Sequence, residues 1–402
     1  MFFSPDGGSI VFQDQKDIYL YNIGTGGATP LLRHPADDRP VAWSPDFSRL
    51  LFLSDRGGSL GLWSQSVQAG AAAGEPELHR AGIGGIDPVG ITRSGALFYY
   101  PEGSTQRDVY LAELDLERGV TVSPPRPVES RFSGRSAFPA WSPDGTRLSF
   151  LATAEKRVLM IHSPASGVTT EVPLALSGLA RPQWQGSNEW LVGYAADLRG
   201  RQGFYRVHAE SGEWRFLLGP ATVDTTFEGA WSRDGRIWYN RFTDMNRGLF
   251  RWDLDTGRRQ ILYAPPSGFD VSLENLRLSQ DQTMLAFQIR NRPAGVSRLM
   301  VMPAGGGQAR ILQEVHRPEE FLFGAFEWLP DSRRILAART TNDVSQLWVA
   351  PLDGGEPRRV AFPPMRVNSL RLNSDGRLLA FHSPKFRAEL WVFENFLPPA
   401  RR

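Results

Sequence analysis

Gly57-Gly58-Ser59-Leu60-Gly61 has the spacing of a nucleophile elbow. That chemistry needs the serine on a sharp strand-to-helix turn, beside a base and an oxyanion hole. Here the segment falls in a loop between two strand-like stretches, and no helical pattern follows it. The catalytic reading lacks its context, and no catalytic residue is assigned.

Metal chemistry fares no better. The histidines are His34, His79, His162, His208, His316 and His382, and no two are close enough in sequence to form a ligand pair. A zinc site would need ligands converging from distant segments. There is no calcium loop of the Asp/Asn-Gly-Glu type. With no cysteine in the chain, disulfides, thiolate sites and cysteine nucleophiles are excluded. No cofactor and no metal are expected.

The remaining chemistry is arginine set among carboxylates in loops. The residues singled out for binding are His34, Arg39, Arg56, Arg135, Arg199, Asp244, Arg247 and Arg366. A wider set of the same kind includes Asp37, Asp38, Asp55, Arg107, Arg181 and Asp197. Planar guanidiniums suit a carboxylate, a peptide or a polysaccharide. Ordinary solvated loop charge is the competing reading of any one of them. The net charge is only +2, and lysine occurs only at Lys16, Lys156 and Lys385. No basic block stands out, so nucleic acid is not an expected partner. No stretch is long and apolar enough to span a bilayer as a helix. The opening residues, Met1 to Gly8, already carry a repeat motif rather than a leader-like pattern.

What positions those loops is a repeat. Its clearest copies are Phe3-Ser4-Pro5-Asp6-Gly7, Trp43-Ser44-Pro45-Asp46, Trp141-Ser142-Pro143-Asp144-Gly145, Trp231-Ser232-Arg233-Asp234-Gly235, Trp328-Leu329-Pro330-Asp331 and Leu372-Asn373-Ser374-Asp375-Gly376. Weaker copies begin at Ile91, Trp184 and Leu278, which makes nine, spaced 40 to 50 residues apart. After each turn comes a short apolar strand such as Leu148-Ser149-Phe150-Leu151. An alternating strand such as Asp17-Ile18-Tyr19-Leu20-Tyr21 or Gln346-Leu347-Trp348-Val349 follows. Gly-rich turns such as Asp353-Gly354-Gly355 close most repeats.

Four short strands per repeat make a small sheet with two apolar faces. Packing such sheets radially buries both faces. The expectation is an all-β chain, a single β-propeller of four-stranded antiparallel blades over residues 1–402. Nine blades are expected, with eight as the alternative. The repeats run 1–34, 35–82, 83–131, 132–177, 178–222, 223–268, 269–316, 317–364 and 365–398. The last lacks its outer strand, so the ring should close with a strand before Met1, an improvised tail or a three-stranded blade. The motif tryptophans should wedge between sheets. Asp6, Asp46, Asp144, Asp234, Asp331 and Asp375 read as turn caps, because Asp accepts backbone N–H bonds and Gly takes φ > 0.

The Trp-Ser-Pro-Asp-Gly turn followed by an apolar strand and an Ile/Leu-Tyr/Trp-Val strand resembles the PD40 repeats of bacterial TolB-like propellers. The resemblance spans essentially the whole chain. It implies a non-enzymatic binding scaffold, a sensory or protein-interaction module of a larger bacterial protein. A protein or peptide is the implied partner, with a small polar or saccharide ligand as alternative. It also implies a monomer without membrane insertion, in the periplasm, otherwise outside the cytoplasm, or in the cytoplasm. The competing functions are an enzyme or carbohydrate-binding protein with a site at the central channel, and a scaffold without a small ligand. Repeat residues specify the scaffold and leave function to the loops and channel.

Overall fold

The structure is a computed structural model. It describes residues 1–402 except 5, 102–104, 133, 154–156, 220–228, 242–247, 387–389 and 398–402, with backbone alone at 105, 241, 273–275, 385 and 386. Every regular element among the described residues is a β-strand. The chain divides into two compact units: Met1–Gln106 with Phe386–Arg402, and Arg107–Lys385.

The first unit holds three sheets. Sheet A is Phe2–Phe3, Ser9–Asp14, Asp17–Asn22 and Gly27–Leu32. Sheet B is Arg39–Trp43, Arg49–Ser54, Gly61–Gln68 and Ala71–Arg80. Sheet C has three strands, Ile86–Ile91 and Leu97–Pro101 completed by Trp391–Phe393 from the far end of the chain. Leu97 pairs with Phe393 and Tyr99 with Trp391. One apolar cluster fills the space between A and B around Ile18, Leu50 and Phe52. Another fills that between B and C around Leu51, Leu62, Leu97 and Tyr99.

The second unit is a closed ring of six sheets. Sheets I to IV take their strands in chain order. They begin at Ser136–Trp141, Leu176–Gln185, Ala230–Trp231 and Asp270–Leu278. Sheet V is Phe326–Trp328, Arg334–Thr341, Val344–Pro351 and Arg358–Met365. Sheet VI joins distant segments: Asn368–Leu372 and Leu378–Phe386 on the inside, Thr105–Asp115 and Val120–Pro127 on the outside. A single parallel pairing, Val120 with Ala361, links the outer strands of V and VI.

Each adjacent pair in this ring shares a core. Leu159 meets Leu191 and Tyr205 between I and II. Phe204 meets Trp238 and Trp252 between II and III, and Leu249 meets Phe287 between III and IV. Val301 meets Phe326 and Trp328 between IV and V, and Leu347 meets Leu379 and Phe381 between V and VI. Ala380 meets Phe150 between VI and I, which closes the ring. Second strands are buried on both faces, as in Leu148–Thr153, which is why they read as unbroken apolar runs. Each fully buried Phe or Leu contributes about 1.5–3 kcal/mol.

The motif has a fixed local role. The Ser44 hydroxyl donates to Asp46 at 2.6 Å and accepts the Arg49 amide at 3.0 Å. The same pattern recurs at Ser142–Asp144 and Ser232–Asp234. At Asp331 and Asp375 the carboxylate accepts the amides of Arg333 and Arg377. The serine two residues back holds the carboxyls of Asp6, Asp46 and Asp234 below the usual range. The tryptophans tie neighbouring sheets together. Trp184 donates to Ala140 O at 3.0 Å, Trp328 to Arg277 O at 3.2 Å and Trp141 to Arg371 O at 3.2 Å.

The strand pairing corrects one expectation. Repeats 83–131 and 365–398 are not separate blades: their strands are exchanged between sheets C and VI. The described sheets also fall into a set of three and a closed set of six, where the sequence reading places all nine in one ring. The physical reason is that a strand's alternation fixes which face is apolar but not which distant strand supplies its hydrogen bonds.

Candidate functional site

The innermost strands of the second unit line a channel of about 310 Å³. One position of the repeat supplies its wall, the residue just before the motif's first residue. Around the ring it is Ala140, Gln183, Ala230, Arg277, Glu327 and Arg371. Three equivalent positions on sheets IV, V and VI thus read Arg, Glu, Arg. Those on sheets I to III are small or neutral.

Bulges add a second set of side chains. The inner strands of sheets I, II and VI each shift register near Phe138, Arg181 and Ser369. Those residues have φ of 59°, 45° and 50°. A left-handed conformation is uncommon for non-glycine residues, above all for a bulky aromatic. Bulges re-aim side chains, and backbone outliers cluster at functional sites. Here all three residues line the channel. The Arg181 guanidinium lies 4.1 Å from the Phe323 ring centroid and 5.3 Å from that of Phe138.

The charges are unequal. Glu327 Oε2 lies 3.6 Å from Arg277 Nε and 3.7 Å from Arg371 Nε. Its Oε1 accepts the Trp328 amide at 3.0 Å. Arg277 Nη1 donates to Leu276 O at 2.7 Å and Arg371 Nη1 to Leu370 O at 2.6 Å. Those bonds pin both guanidiniums. Burial lowers the pKa of Arg277. Burial, with Arg277 and Arg181 nearby, brings Arg371 down to about 9. Arginine keeps its charge at neutral pH, so Arg277 and Arg371 set two guanidiniums against the one carboxylate of Glu327. Behind them His382 packs edge-on against Phe138 at 5.7 Å. Burial, reinforced by Arg107, Arg371, Arg181 and Arg366, brings its pKa down to about 3. It is a neutral imidazole, and its Nδ1 has no hydrogen-bond partner.

The sequence-selected loop residues lie elsewhere. His34, Arg39 and Arg56 belong to the first unit. There the two expected loop sets do meet, since the Asp37 amide donates to Asp55 at 3.0 Å. Their charges neutralise one another. Arg39 pairs with Asp37 at 2.7 Å, and Arg56 pairs with the fully buried Asp38 at 2.6 Å. The His34 ring accepts the Ala36 amide at 3.1 Å. In the second unit Arg135 and Arg199 are exposed, and Arg366 is paired with Asp343. Asp244 and Arg247 lie outside the described residues. None of the described six lines the channel; Arg181, from the wider set, does. Arg277, Glu327 and Arg371 were missed because they sit within strands. Their common place before the motif was the signal that could have found them.

Ser59 of the Gly57–Gly61 segment occupies a hairpin turn between strands Arg49–Ser54 and Gly61–Gln68, so the geometry of a nucleophile elbow is absent there. Among the described residues, no group of three His, Asp or Glu side chains is placed to hold a metal ion.

No protein-family profile matches this chain, and no curated protein does. Solved structures do resemble it. A protein assigned as TolB from Agrobacterium tumefaciens has a TM-score of 0.51 at 15% identity, over 70% of this chain and 99% of that one. TolB from Acinetobacter baumannii has 0.47 at 13% identity, over 88% and 80%. An oligogalacturonate lyase in complex with manganese has 0.44 at 11% identity, over 94% and 96%. The first similarity assigns a TolB-like propeller fold.

Proposed function

We propose that this chain is a non-enzymatic binding module whose second unit receives an extended protein or peptide segment in its channel. The observation that carries this is the convergence of two buried guanidiniums, Arg277 and Arg371, on the single carboxylate of Glu327 on the inner strands. A propeller needs no such excess of charge for its own stability. Buried like charges disfavour each other, so their convergence points to a ligand. Among the described lining residues Glu327 is the one carboxylate. The reading as one module of a larger bacterial protein rests on the resemblance of the repeats.

The test is a phage-displayed dodecapeptide library panned against the wild type and an Ala230→Trp variant, which narrows the channel from its small-residue side. Enriched peptides that bind the wild type and lose at least tenfold with the variant support the channel. Peptides that bind both equally place the site elsewhere. Failure to enrich any peptide overturns the proposal.

A further inference from the structure

We infer, on the reading of the channel as the binding site, that the group recognised there is a carboxylate of the bound chain, held by Arg277 and Arg371 in competition with Glu327. The two arginines occupy the same repeat position on sheets IV and VI, with Glu327 at that position on the sheet between them. The repeat therefore sets all three at one level of the channel. A single glutamate oxygen faces both Nε atoms at 3.6 and 3.7 Å. Those are ion-pair distances, too long for hydrogen bonds. Arg277 Nε is buried and makes no hydrogen bond. Unpaired buried donors are rare in native proteins, and a guanidinium is shaped to offer parallel N–H bonds to a carboxylate.

Space and charge agree. Ala140, Gln183 and Ala230 leave the opposite half of the channel open to a chain. Phe138 and Phe323 provide an apolar wall next to the cations. Arg277 and Arg371 against Glu327 leave one positive charge, which one incoming carboxylate balances. Glu327 acts as a built-in competitor: it restrains the arginines in the free state and weakens the ligand's hold.

The probe is succinate, compared with the neutral succinamide and with phosphate, at matched ionic strength, by calorimetry and thermal shift on the full chain. Succinate should bind the wild type and succinamide should not. Arg277→Met and Arg371→Met should each weaken succinate at least tenfold. Arg277→Lys keeps the charge and loses the fork, and should weaken it about fivefold. Glu327→Gln should tighten it about tenfold. Succinate binding that survives Arg277→Met and Arg371→Met together, or that weakens in Glu327→Gln, overturns the assignment. So does phosphate binding as tightly as succinate.

Peptides from the library should then lose affinity when their C-terminus is amidated or their Asp and Glu are changed to Asn and Gln. Which change matters identifies the source of the carboxylate. Channel-bound peptides insensitive to both changes refute the carboxylate and leave the channel reading standing. Succinate binding with no peptide enriched does the reverse.

Discussion

Lowering the pH from 7.5 to 5.0 should destabilise the protein through His382. The side chain is nearly fully buried, with Phe138 and Phe323 against its ring. Its surroundings carry positive charge from Arg107, Arg371, Arg181 and Arg366. Burial and those charges bring its pKa from 6.5 down to about 3 in the folded state. The folded value is below the unfolded one, so the native state binds fewer protons. The contribution is present above pH 6.5 and is lost as pH falls toward 3. At about 1.4 kcal/mol per pKa unit, acidification to pH 5.0 removes about 2 kcal/mol by this route. His79 and His162, both lowered by burial, act in the same direction. The assay is therefore urea unfolding of wild type and His382→Gln at both pH values. The variant should lose about 2 kcal/mol less than the wild type over that interval. The carboxylates are common to both proteins, so their titration cancels in the comparison. Equal losses, or a His382 NMR resonance that titrates near 6.5 in the folded protein, would refute the reasoning.

Glu327→Gln should lower stability by about 3 kcal/mol, because it leaves two recessed guanidiniums without their shared counter-charge; urea unfolding at low salt reads it. Gly145→Ala and Gly167→Ala offer a contrast between two glycines at φ 74° and 71°. At Gly145 the added Cβ meets Ser374 across the closure of sheets VI and I, whereas Gly167 has open space. Gly167→Ala should cost about 1 kcal/mol from the backbone alone, and Gly145→Ala clearly more. Ser142→Ala removes both the bond to Asp144 and the acceptor of the Arg147 amide, and should cost about 1–2 kcal/mol in a thermal melt. Residues 105–386 expressed alone should fold with one cooperative transition, because all six inter-sheet cores lie within the second unit; a collapsed state without near-ultraviolet dichroism would refute the division.

Much of the scaffold was legible because its determinants are local. Ser142, Asp144 and Gly145 make a turn with one another, and such a turn can be read from five consecutive residues. The apolar runs after each turn betray strands packed on both faces. The channel was less legible for a positional reason. The loops around His34, Arg39 and Arg56 looked like binding elements because they concentrate charge, yet their charges are satisfied within the first unit. Arg277 and Arg371 sit among leucines, and an isolated arginine in a strand reads as a solvated face. Only the recurrence of their place before the motif distinguishes them.

The sequence by itself determined the all-β repeat and its turn chemistry, since those follow from alternation and from contacts within one repeat of about 50 residues. Tertiary structure decided the rest. It exchanged the strands of the third and last repeats, so that Tyr99 pairs with Trp391 while Val109 packs on Trp141. It separated three sheets from a closed six. It also brought Arg181, Arg277, Glu327 and Arg371 from four sheets into one channel. Hydrogen bonds between strands are made by backbone atoms common to every residue. Pairing across hundreds of residues therefore leaves no mark in side-chain periodicity, and a site assembled by ring closure exists only once the ring has closed.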